Sequence, residues 1–337
     1  MLQIEKDTIM LADAFEYLAA LPDASVDVIL TDPPYYRIVA EEWDNQWESL
    51  TDFQEWVRRL AAEFRRVLRS HGSLYWFCDD KVAAYCQTVL DERFHLINSL
   101  VWEKPATLSC LSINSGLRSF AICTERILFY EQKGASGLPA TGLEAIHSRA
   151  DCFASIKAYM RNERAAMMKA RGWSKLRDFE QWVNEVTKTS SKVSRHCWAD
   201  SQYEFPTEAQ YRALQSGGFF RREYEDLRRE YEDLRHEYED LRRPWNNDKR
   251  AREILTFPPA APPLIHPTQK PVGLLTYLLQ RSTRPGFTVL DPFSGSGSTA
   301  AACYELGLTF LGCECSPTYH AAANVRLRAL RRQPLLF

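Results

Sequence analysis

Asp32 is the first residue whose position suggests chemistry, because it lies in the stretch LTDPPYY at residues 30–36. The preceding run, residues 26–30, is short, rich in β-branched side chains and bounded by polar residues, as is typical of a central strand of a parallel sheet. Asp32 would then lie at the carboxyl end of that strand, where open α/β sheets bind ligands. Pro33 and Pro34 fix φ and remove two backbone donors, so we expect a stiff turn that presents the carboxylate.

A second stretch with the character of a binding site is VLDPFSGSGSTAAAC at residues 289–303. It predicts a strand, a glycine-rich turn and a helix opened by Ser298 or Thr299, so that backbone groups can approach a ligand closely. Asp291 comes where the strand ends, and Glu314 ends the next strand, roughly 20 residues later. This separation is typical of an acid that hydrogen-bonds ribose hydroxyls in nucleotide-binding βαβ units. The spacing departs from G-x-G-x-x-G, and no P-loop lysine opens the helix. A nucleoside without a pyrophosphate therefore fits better than NAD or ATP, and a purely structural turn is the alternative for the glycines alone.

The elements that must position these residues alternate between strand and helix at both ends of the chain. Strands are predicted at residues 26–30 and in GSLYWFCDD, LINSLVWEKP, ERILFYEQK, FTVLDPF and TFLGCE, and helices at residues 52–70, at 272–281, from Ser298 and at the end of the chain. From about residue 134 to residue 198 the composition becomes polar and basic, and the segment FPPAAPPLIHP ends any helix before it. We therefore predict an α/β fold with one doubly wound, mainly parallel sheet, built from residues 1–133 and 261–337 around a mainly helical insert at 134–260.

Composition excludes several classes of protein. The chain has 337 residues, of which 45% are hydrophobic, and a formal net charge of −2, which neither requires nor excludes nucleic acid. No apolar run approaches the roughly 20 residues that span a bilayer, and the start MLQIEKDTIM lacks the order of a signal peptide, so we expect a cytoplasmic protein without membrane contact. The nine cysteines form no C-x-x-C pair and are expected to be reduced core residues, with no metal site.

Together these segments resemble the permuted β group of amino-group DNA methyltransferases, which use S-adenosylmethionine. In that family a D-P-P-Y motif comes first, then a target-recognition region, then the cofactor motif. Here the three correspond to residues 32–35, the insert and residues 291–297. HPTQKP at residues 266–271, NSLVWEKP and ERILFY resemble further family motifs, and LAD at residues 11–13 resembles an opening motif whose usual glycine is missing. The resemblance implies a Rossmann-like methyltransferase fold.

The resemblance also implies roles for individual residues. Asp32 and the Pro33 carbonyl would accept the two hydrogens of an exocyclic amine and so orient its lone pair, while Pro34 completes the motif and Tyr35 stacks on the base. Because the amine lies inside the duplex, the target nucleotide must be flipped out. The implied residues that bind S-adenosylmethionine are Asp13, His266, Thr268, Lys270, Asp291, Phe293, Ser294, Gly295, Ser296, Gly297 and Glu314. The neighbouring aromatic residues Tyr36, Trp43 and Trp47 either line the pocket or belong to the core.

Double-stranded DNA is the implied substrate, and the insert contains a basic stretch suited to phosphates. Between residues 157 and 195 ten Lys or Arg stand against four acids, a local balance of +6. The DNA-binding candidates are Arg161, Arg164, Lys169, Arg171, Lys175, Arg177, Lys188, Lys192 and Arg195. A solvated helical face without DNA contact is the alternative.

A threefold repeat, EYEDLRR-EYEDLRH-EYEDLRR, occupies residues 223–243. Its tyrosines and leucines recur at spacings of three and four, which forms an a/d seam flanked by opposite charges. The seam predicts either a coiled coil that joins two copies of the chain as a homodimer or a single charged helix packed on its own domain.

Adenine N6 is the preferred target, because the aspartate form of the D-P-P-Y motif is commoner in adenine enzymes of the family. An N4-cytosine DNA methyltransferase on the same scaffold is the first alternative. Methyl transfer to glutamine or RNA, and a non-catalytic DNA-binding or coiled-coil protein, are further alternatives. The recognition sequence and a restriction endonuclease partner are left open by the sequence.

Overall fold

A computed structural model describes residues 2–105, 118, 122–132, 153–189, 192–199, 203–241, 243–246 and 251–332. The chain forms two compact units, which we call the sheet unit (Met1–Ala135 with Arg243–Phe337) and the helical unit (Ser136–Arg242). The predicted start of the insert at residue 134 lies outside the described residues, whereas its predicted end at residue 260 lies within them.

The sheet unit contains an eight-stranded sheet with the order β1-β8-β7-β2-β3-β5-β4-β6. Its strands are β1 (Ile9–Leu11), β2 (Val26–Thr31), β3 (Leu68–Cys78), β4 (Phe94–Glu103), β5 (Thr124–Gln132), β6 (Ile254–Thr256), β7 (Thr288–Asp291) and β8 (Thr309–Glu314). Strand β5 runs antiparallel to β3 and β4, whereas the other pairs are parallel. The predicted mainly parallel α/β sheet is therefore confirmed.

Helices cover both faces of this sheet. One face packs against α1 (Ala14–Ala20), α2 (Leu50–Val67) and α3 (Ala83–Leu90), and the other against α9 (Val272–Ser282), α10 (Ser298–Leu306) and α11 (Pro317–Arg331). All six residues of β2 are buried because this strand lies between the two apolar layers. This double covering explains why β2 reads as a continuous apolar run rather than an alternating one.

Strands β2 and β7 lie next to each other in the middle of the sheet, with Val28 opposite Val289. The chain order along the sheet reverses here, since β3 follows β2 on one side and β8 follows β7 on the other. A ligand crevice opens at such a switch point in doubly wound sheets, at the carboxyl ends of the strands. Asp32 and Asp291, from the two stretches singled out in the sequence, both lie at this point.

Two local features differ from the sequence prediction. Helix α2 begins after a capping box formed by Ser49 and Asp52 and ends at Val67, because the chain enters β3 directly at Leu68. Strand β6 was not predicted, and it pairs in parallel with the end of β4 at the edge of the sheet. Its three residues are too few to show a period in the sequence.

The helical unit is built from α4 (Ala154–Arg171), α5 (Leu176–Thr187), α6 (Lys192–His196), α7 (Glu208–Gln215) and α8 (Tyr224–Leu241). These helices share an apolar core that includes Phe179, Tyr211 and Phe220. The unit therefore has its own core rather than forming a solvated extension of the chain.

The repeat forms helix α8, and the seam of its first two copies faces the core of the helical unit. Leu227 is fully buried, and the ring of Tyr231 stacks on Phe153 and Phe205 at centroid distances of 4.7 and 4.6 Å. These contacts favour the packed single helix over a seam shared with a second chain. In the third copy, the side chains of residues 237–242 lie outside the described residues.

The sequence also predicted buried, reduced cysteines and no membrane-spanning segment. Cys78, Cys86, Cys197, Cys303 and Cys313 are buried free thiols, but Cys315 is exposed, so the expectation of a core position is wrong for that residue. Within the described ranges, no helix has the length and apolar character that crossing a membrane requires.

Candidate active site

A cavity lies at the carboxyl ends of β2 and β7. Most of its lining comes from the loop after β2, residues 266–270, the turn after β7 and the segment from the end of β8 to the start of α11, with smaller contributions from β2, β3, α9 and α10. The lining residues include Asp32, Pro33, Pro34, Tyr35, Trp43, Phe77, His266, Thr268, Lys270, Asp291, Phe293, Ser294, Gly295, Ser296, Glu314 and Tyr319. The sheet therefore brings the two sequence stretches, which are more than 200 residues apart, to one place.

Asp32 is held by two donors at this site. The ammonium Nζ of Lys270 lies 2.6 Å from Oδ2 of Asp32, and the Tyr35 hydroxyl donates to Oδ1. The Lys270 ammonium also lies above the Tyr35 ring, 5.3 Å from its centroid. The resemblance assigns Lys270 to the cofactor, whereas the structure shows its side chain bonded to the carboxylate of the D-P-P-Y motif.

Glu125 on β5 is a second carboxylate at the site, and the sequence analysis did not identify it. Its Oε2 lies 3.3 Å from Lys270 Nζ and 3.3 Å from the Tyr35 hydroxyl, and its Oε1 lies 2.5 Å from Lys104 Nζ. Lys104, Glu125, Lys270 and Asp32 thus form a chain of alternating charge. In the sequence, Glu125 is marked only by its place just before the apolar run ILFY, in a strand that also carries other polar residues.

Burial and neighbouring charge shift the pKa values of these groups. Burial raises the pKa of Asp32, and the charge of Glu125 adds to the rise, while Lys270 acts in the opposite direction. Burial also raises the pKa of Glu125, but the ammonium groups of Lys270 and Lys104 outweigh it, so the net shift is downward. The two carboxylates outweigh the burial of Lys270 and raise the pKa of its ammonium. Lys270 therefore stays charged.

The loop after β2 is fixed by Asp44, a fully buried carboxylate that the sequence analysis also missed. Its Oδ1 accepts from the N–H groups of Tyr35 and Tyr36 at 2.5 and 3.0 Å, and its Oδ2 accepts from Ile38 and Val39 at 2.6 and 2.9 Å. Tyr36 has the left-handed φ of 70° that this path requires. The loop therefore depends on a tight net of backbone donors around one side chain.

Trp43, Tyr36 and Trp47 separate into two groups. Trp43 lines the cavity, with its ring 5.6 Å from the His266 ring. Tyr36 and Trp47 instead pack against Phe53 of α2, at 5.4 and 4.9 Å between ring centroids. The pocket interpretation therefore fits Trp43, and the core interpretation fits the other two.

The turn after β7 forms the opposite wall. Gly295 has φ of 48°, and its N–H donates to Oε2 of Glu314 at 2.8 Å, while the Ser316 N–H donates to Oε1 at 2.8 Å. Gly297, with φ of 76°, is buried, and a Cβ there would come within 3.0 Å of the Ile9 side chain. The turn and the acid that ends β8 are therefore one hydrogen-bonded corner.

Asp291 lies at the base of that corner and is buried. Its Oδ1 accepts from the Thr31 hydroxyl at 3.0 Å and from the Phe293 N–H at 3.2 Å. Burial raises its pKa to about 7, although these donors and the Thr299 hydroxyl act in the opposite direction. Near neutral pH this carboxyl group is therefore partly protonated.

His266 completes the wall between the loop and the turn. Its ring lies between those of Trp43 and Tyr319, at 5.6 and 4.4 Å, and its Nδ1 is 3.1 Å from the Thr268 hydroxyl. Burial and the charge of Lys270 lower its pKa to about 4, so the imidazole is neutral at physiological pH. A neutral aromatic wall of this kind suits a flat, weakly polar ligand group.

Two predicted cofactor residues do not line the cavity. Gly297 supports the turn from below, and Asp13 is the exposed N-cap of α1, where its Oδ1 accepts from the Phe15 N–H at 2.8 Å. The other predicted cofactor residues and all four residues of the D-P-P-Y motif lie on the lining.

The basic residues predicted to bind DNA lie in the helical unit, and most are exposed. The exposed ones are Lys169, Arg171, Lys175, Arg177, Lys188 and Arg195. Arg161 donates to the Trp198 carbonyl at 3.1 Å, Arg164 is half-buried, and the Lys192 side chain lies outside the described residues. Lys157, which contributes to the +6 balance, is buried with its ammonium 5.1 Å from the Tyr203 ring centroid. The exposed basic surface is therefore smaller than the sequence count.

Comparison with known proteins gives a consistent result. A family model described as DNA methylase matches residues 26–325. The DNA adenine methyltransferase YhdJ of Escherichia coli (strain K12) is 24% identical over 321 residues, which cover 94% of this chain and 80% of that protein. The Escherichia coli (strain K12) protein YubD is 46% identical over 67 residues, which cover 20% of this chain and 30% of that protein.

Two solved structures share the fold. M1.HpyAVI, solved as a complex with SAM, superposes with a TM-score of 0.50 at 18% identity, over 95% of this chain and 98% of that one. The PvuII DNA methyltransferase, described as cytosine-N4-specific, gives a TM-score of 0.52 at 13% identity, over 100% of this chain and 92% of that one.

Proposed function

Because this chain belongs to the DNA methylase family of N6 and N4 enzymes, we propose that it methylates the N6 amine of adenine in DNA, with S-adenosylmethionine as the donor. One observation carries the proposal: Asp32 and the corner formed by Gly295 and Glu314 face one cavity. The order of the segments, with Asp32 before the glycine turn, supports assignment to the permuted β group. D-P-P-Y is then the catalytic motif.

The residues that line the cavity have the chemistry needed to bind S-adenosylmethionine. Gly295 leaves the turn without a side chain where a ligand would approach. Glu314 Oε2 accepts the Gly295 N–H and keeps a second lone pair for a ribose hydroxyl, whereas Oε1 accepts from the Ser316 N–H and the Cys315 thiol. Trp43, His266 and Phe293 offer apolar faces to an adenine ring. When bound, the cofactor supplies an electrophilic methyl group.

Asp32 would act on the other reactant. Its carboxylate and the Pro33 carbonyl accept the two hydrogens of the target amine and so direct the nitrogen lone pair at the methyl group. Each Asp32 oxygen already accepts one donor, from Lys270 or Tyr35, and retains a second lone pair for the amine. The loop after β2, which is held by Asp44, keeps Asp32 in this position opposite the turn after β7.

The target base must leave the duplex to reach Asp32, so the protein must also hold DNA. We assign this contact to the exposed basic residues of the helical unit. Replacing Lys169, Arg171, Lys175 and Arg177 together by Gln should weaken binding to duplexes of any sequence and flatten the salt dependence of the affinity. Replacing exposed Arg328 and Arg331 of α11 by Gln is the control. An unchanged salt dependence in the fourfold variant would remove the assignment.

Adenine is favoured over cytosine by the YhdJ match and by the aspartate in the motif. An N4-cytosine enzyme is the second candidate, because the PvuII cytosine-N4 enzyme shares the fold over the full chain.

Mass spectrometry of nucleosides from cells that express the protein separates the two targets. We expect N6-methyladenine with the wild-type protein and much less of it with Asp32→Ala. N4-methylcytosine would instead establish the second candidate, and neither product would overturn the proposed function. Long-read sequencing of the same DNA then shows whether one sequence is modified at every copy, as a restriction endonuclease partner requires.

A further inference from the structure

The chain of alternating charge beside Asp32 extends beyond the residues that the proposed reaction uses. It runs from Lys104 at the end of β4, through Glu125 on β5, to Lys270 and Asp32, with N–O distances of 2.5, 3.3 and 2.6 Å. The exposed fraction of the side chain is 27% for Lys104, 15% for Glu125, 6% for Lys270 and 20% for Asp32. All four charged groups are therefore partly shielded from solvent, and the Lys270 ammonium between the two carboxylates is the most buried of them.

We propose that Glu125 and Lys104 are positioning residues that act through Lys270 to set the protonation state of Asp32 during methyl transfer. The inference rests on the proposed function for the role of Asp32, but its charge argument does not depend on the identity of the base.

The reason is the charge balance of the four groups. A buried ammonium needs more than one polar partner, and Glu125 and the Thr268 carbonyl, both 3.3 Å from Lys270 Nζ, supply the others beside Asp32. Glu125 alone would place a second negative charge near Asp32 and favour its protonated form. Lys104 counters that charge from the far side of Glu125. The Lys104–Glu125 pair and the Lys270–Asp32 pair together have no net charge. Asp32 can therefore ionise and accept both amine hydrogens.

The titratable groups around Asp32 come from each element packed near it: Tyr35 from its own loop, Glu125 from β5, Lys270 from the 266–270 segment and Asp291 from β7, with Lys104, directly after β4, behind Glu125. Among these, Glu125 and Lys104 lie outside the cavity lining. Neutralising either one changes the charge near Asp32 without altering the lining itself.

Two single variants that should shift the pH dependence of the transfer rate in opposite directions test the proposal. Glu125→Gln removes a negative charge, so the pKa of Asp32 should fall, and the acid limb of the single-turnover transfer rate should move to lower pH by about 0.5 to 1 unit. Lys104→Met removes a positive charge, and the limb should move to higher pH by a smaller amount, about 0.3 to 0.5 unit. The double variant restores the balance and should bring the limb back toward the wild-type position.

If the Lys104–Glu125 ion pair only stabilised the contact between β4 and β5, the two variants would not shift the limb in opposite directions. If both single variants lose rate equally at every pH, or shift the limb in the same direction, the proposal is overturned. Glu131→Gln is the matched control, since Glu131 lies on the same strand, has an 18% exposed side chain and pairs with Arg243 at 3.1 Å. It should leave the limb in place.

A second measurement is independent of activity. The pKa of Asp32 can be followed by NMR in protein labelled with ¹³C at the aspartate carboxyl carbons, with Asp32→Asn identifying the signal. Opposite shifts in Glu125→Gln and Lys104→Met without methyl transfer to any DNA would overturn the proposed function and keep the charge network. Transfer in the wild type without opposite shifts would overturn the network and keep the function.

Discussion

Asp32 and Asp291 follow or end two neighbouring parallel strands and are each followed by proline, yet the structure surrounds them differently. An ammonium and a phenol hold Asp32, and a second carboxylate lies beyond them. Asp291 instead accepts from the Thr31 hydroxyl and a backbone N–H. Similar local sequences at similar positions therefore give one carboxyl group set among charges and another set among neutral donors.

The difference separates two tasks at one cavity. A carboxylate that must accept from a reacting amine has to ionise although its surroundings raise its pKa, and the Lys270 ammonium opposes that rise. A carboxyl group that stabilises a turn has to accept hydrogen bonds from nearby N–H and O–H groups but needs no charge. The pKa of about 7 at Asp291 agrees with that role. The partners of each acid, more than the Asp-Pro sequence itself, define what it can do.

The largest expected effect comes from removing the acid on the amine side. Asp32→Ala should lower the rate of methyl transfer to DNA by about several hundredfold or more, because the amine loses its charged acceptor. Calorimetry should give a nearly unchanged affinity for S-adenosylmethionine, since the Glu314 corner is intact. Transfer at the wild-type rate would show that Asp32 is not the acceptor.

Lys270→Met removes the ammonium between the two carboxylates. The pKa of Asp32 should rise further, so transfer at pH about 7 should fall by about tenfold or more and recover in part toward pH about 9. Single-turnover rates across pH measure this. The resemblance instead assigns Lys270 to the cofactor. A weaker cofactor affinity with an unchanged pH profile would favour that assignment and contradict the charge role.

The sequence predicted the parts of the site that depend on local pattern. Strand β2, the strand before Asp291, the glycine turn and Glu314 all follow from apolar runs and turn residues within about 15 positions. Tyr35 and Glu125 lie 90 positions apart, and Asp32 and Lys270 lie 238 apart, so no local period connects them. Only the strand order places β5 and the 266–270 segment against the same loop.

Asp44 escaped prediction for a different reason. It lies only nine residues after Tyr35, but its role depends on the left-handed φ of Tyr36 and Arg37, which neither residue type favours. The backbone takes this path because four N–H groups find one buried acceptor. Propensity gives no indication of such a loop, since the compensation appears only in three dimensions.

A smaller effect is expected on the cofactor side. Glu314→Ala should weaken binding of S-adenosylmethionine by about tenfold, because the ribose loses an acceptor and the N–H groups of Gly295 and Ser316 lose theirs. Calorimetry measures the affinity, and transfer at saturating cofactor should stay close to that of the wild type, the reverse of Asp32→Ala. Glu305→Ala, at an exposed residue of α10, is the control. Equal affinities in the two variants would place the cofactor elsewhere.

The smallest expected effect tests whether Asp291 is the neutral member of the comparison. Its pKa of about 7 lies above the ordinary 3.8, so the folded protein keeps a proton that the unfolded chain has released. The stability that this proton contributes is complete below pH about 4 and is lost as the pH rises through about 7. Asn cannot titrate, so Asp291→Asn should gain about 1 kcal/mol on the wild type between pH about 5.5 and 6.5.

Urea unfolding of both proteins across that pH range measures the difference. Asp80→Asn is the control, because the Asp80 pKa is lowered: burial raises it, but the bonds from Arg126 and Thr124 outweigh that rise. Its stability contribution is lost only in more acidic solution, so the wild type and this control should run parallel in the window. If Asp291→Asn also runs parallel to the wild type, Asp291 is already ionised there. The two acids would then differ in their partners but not in their charge.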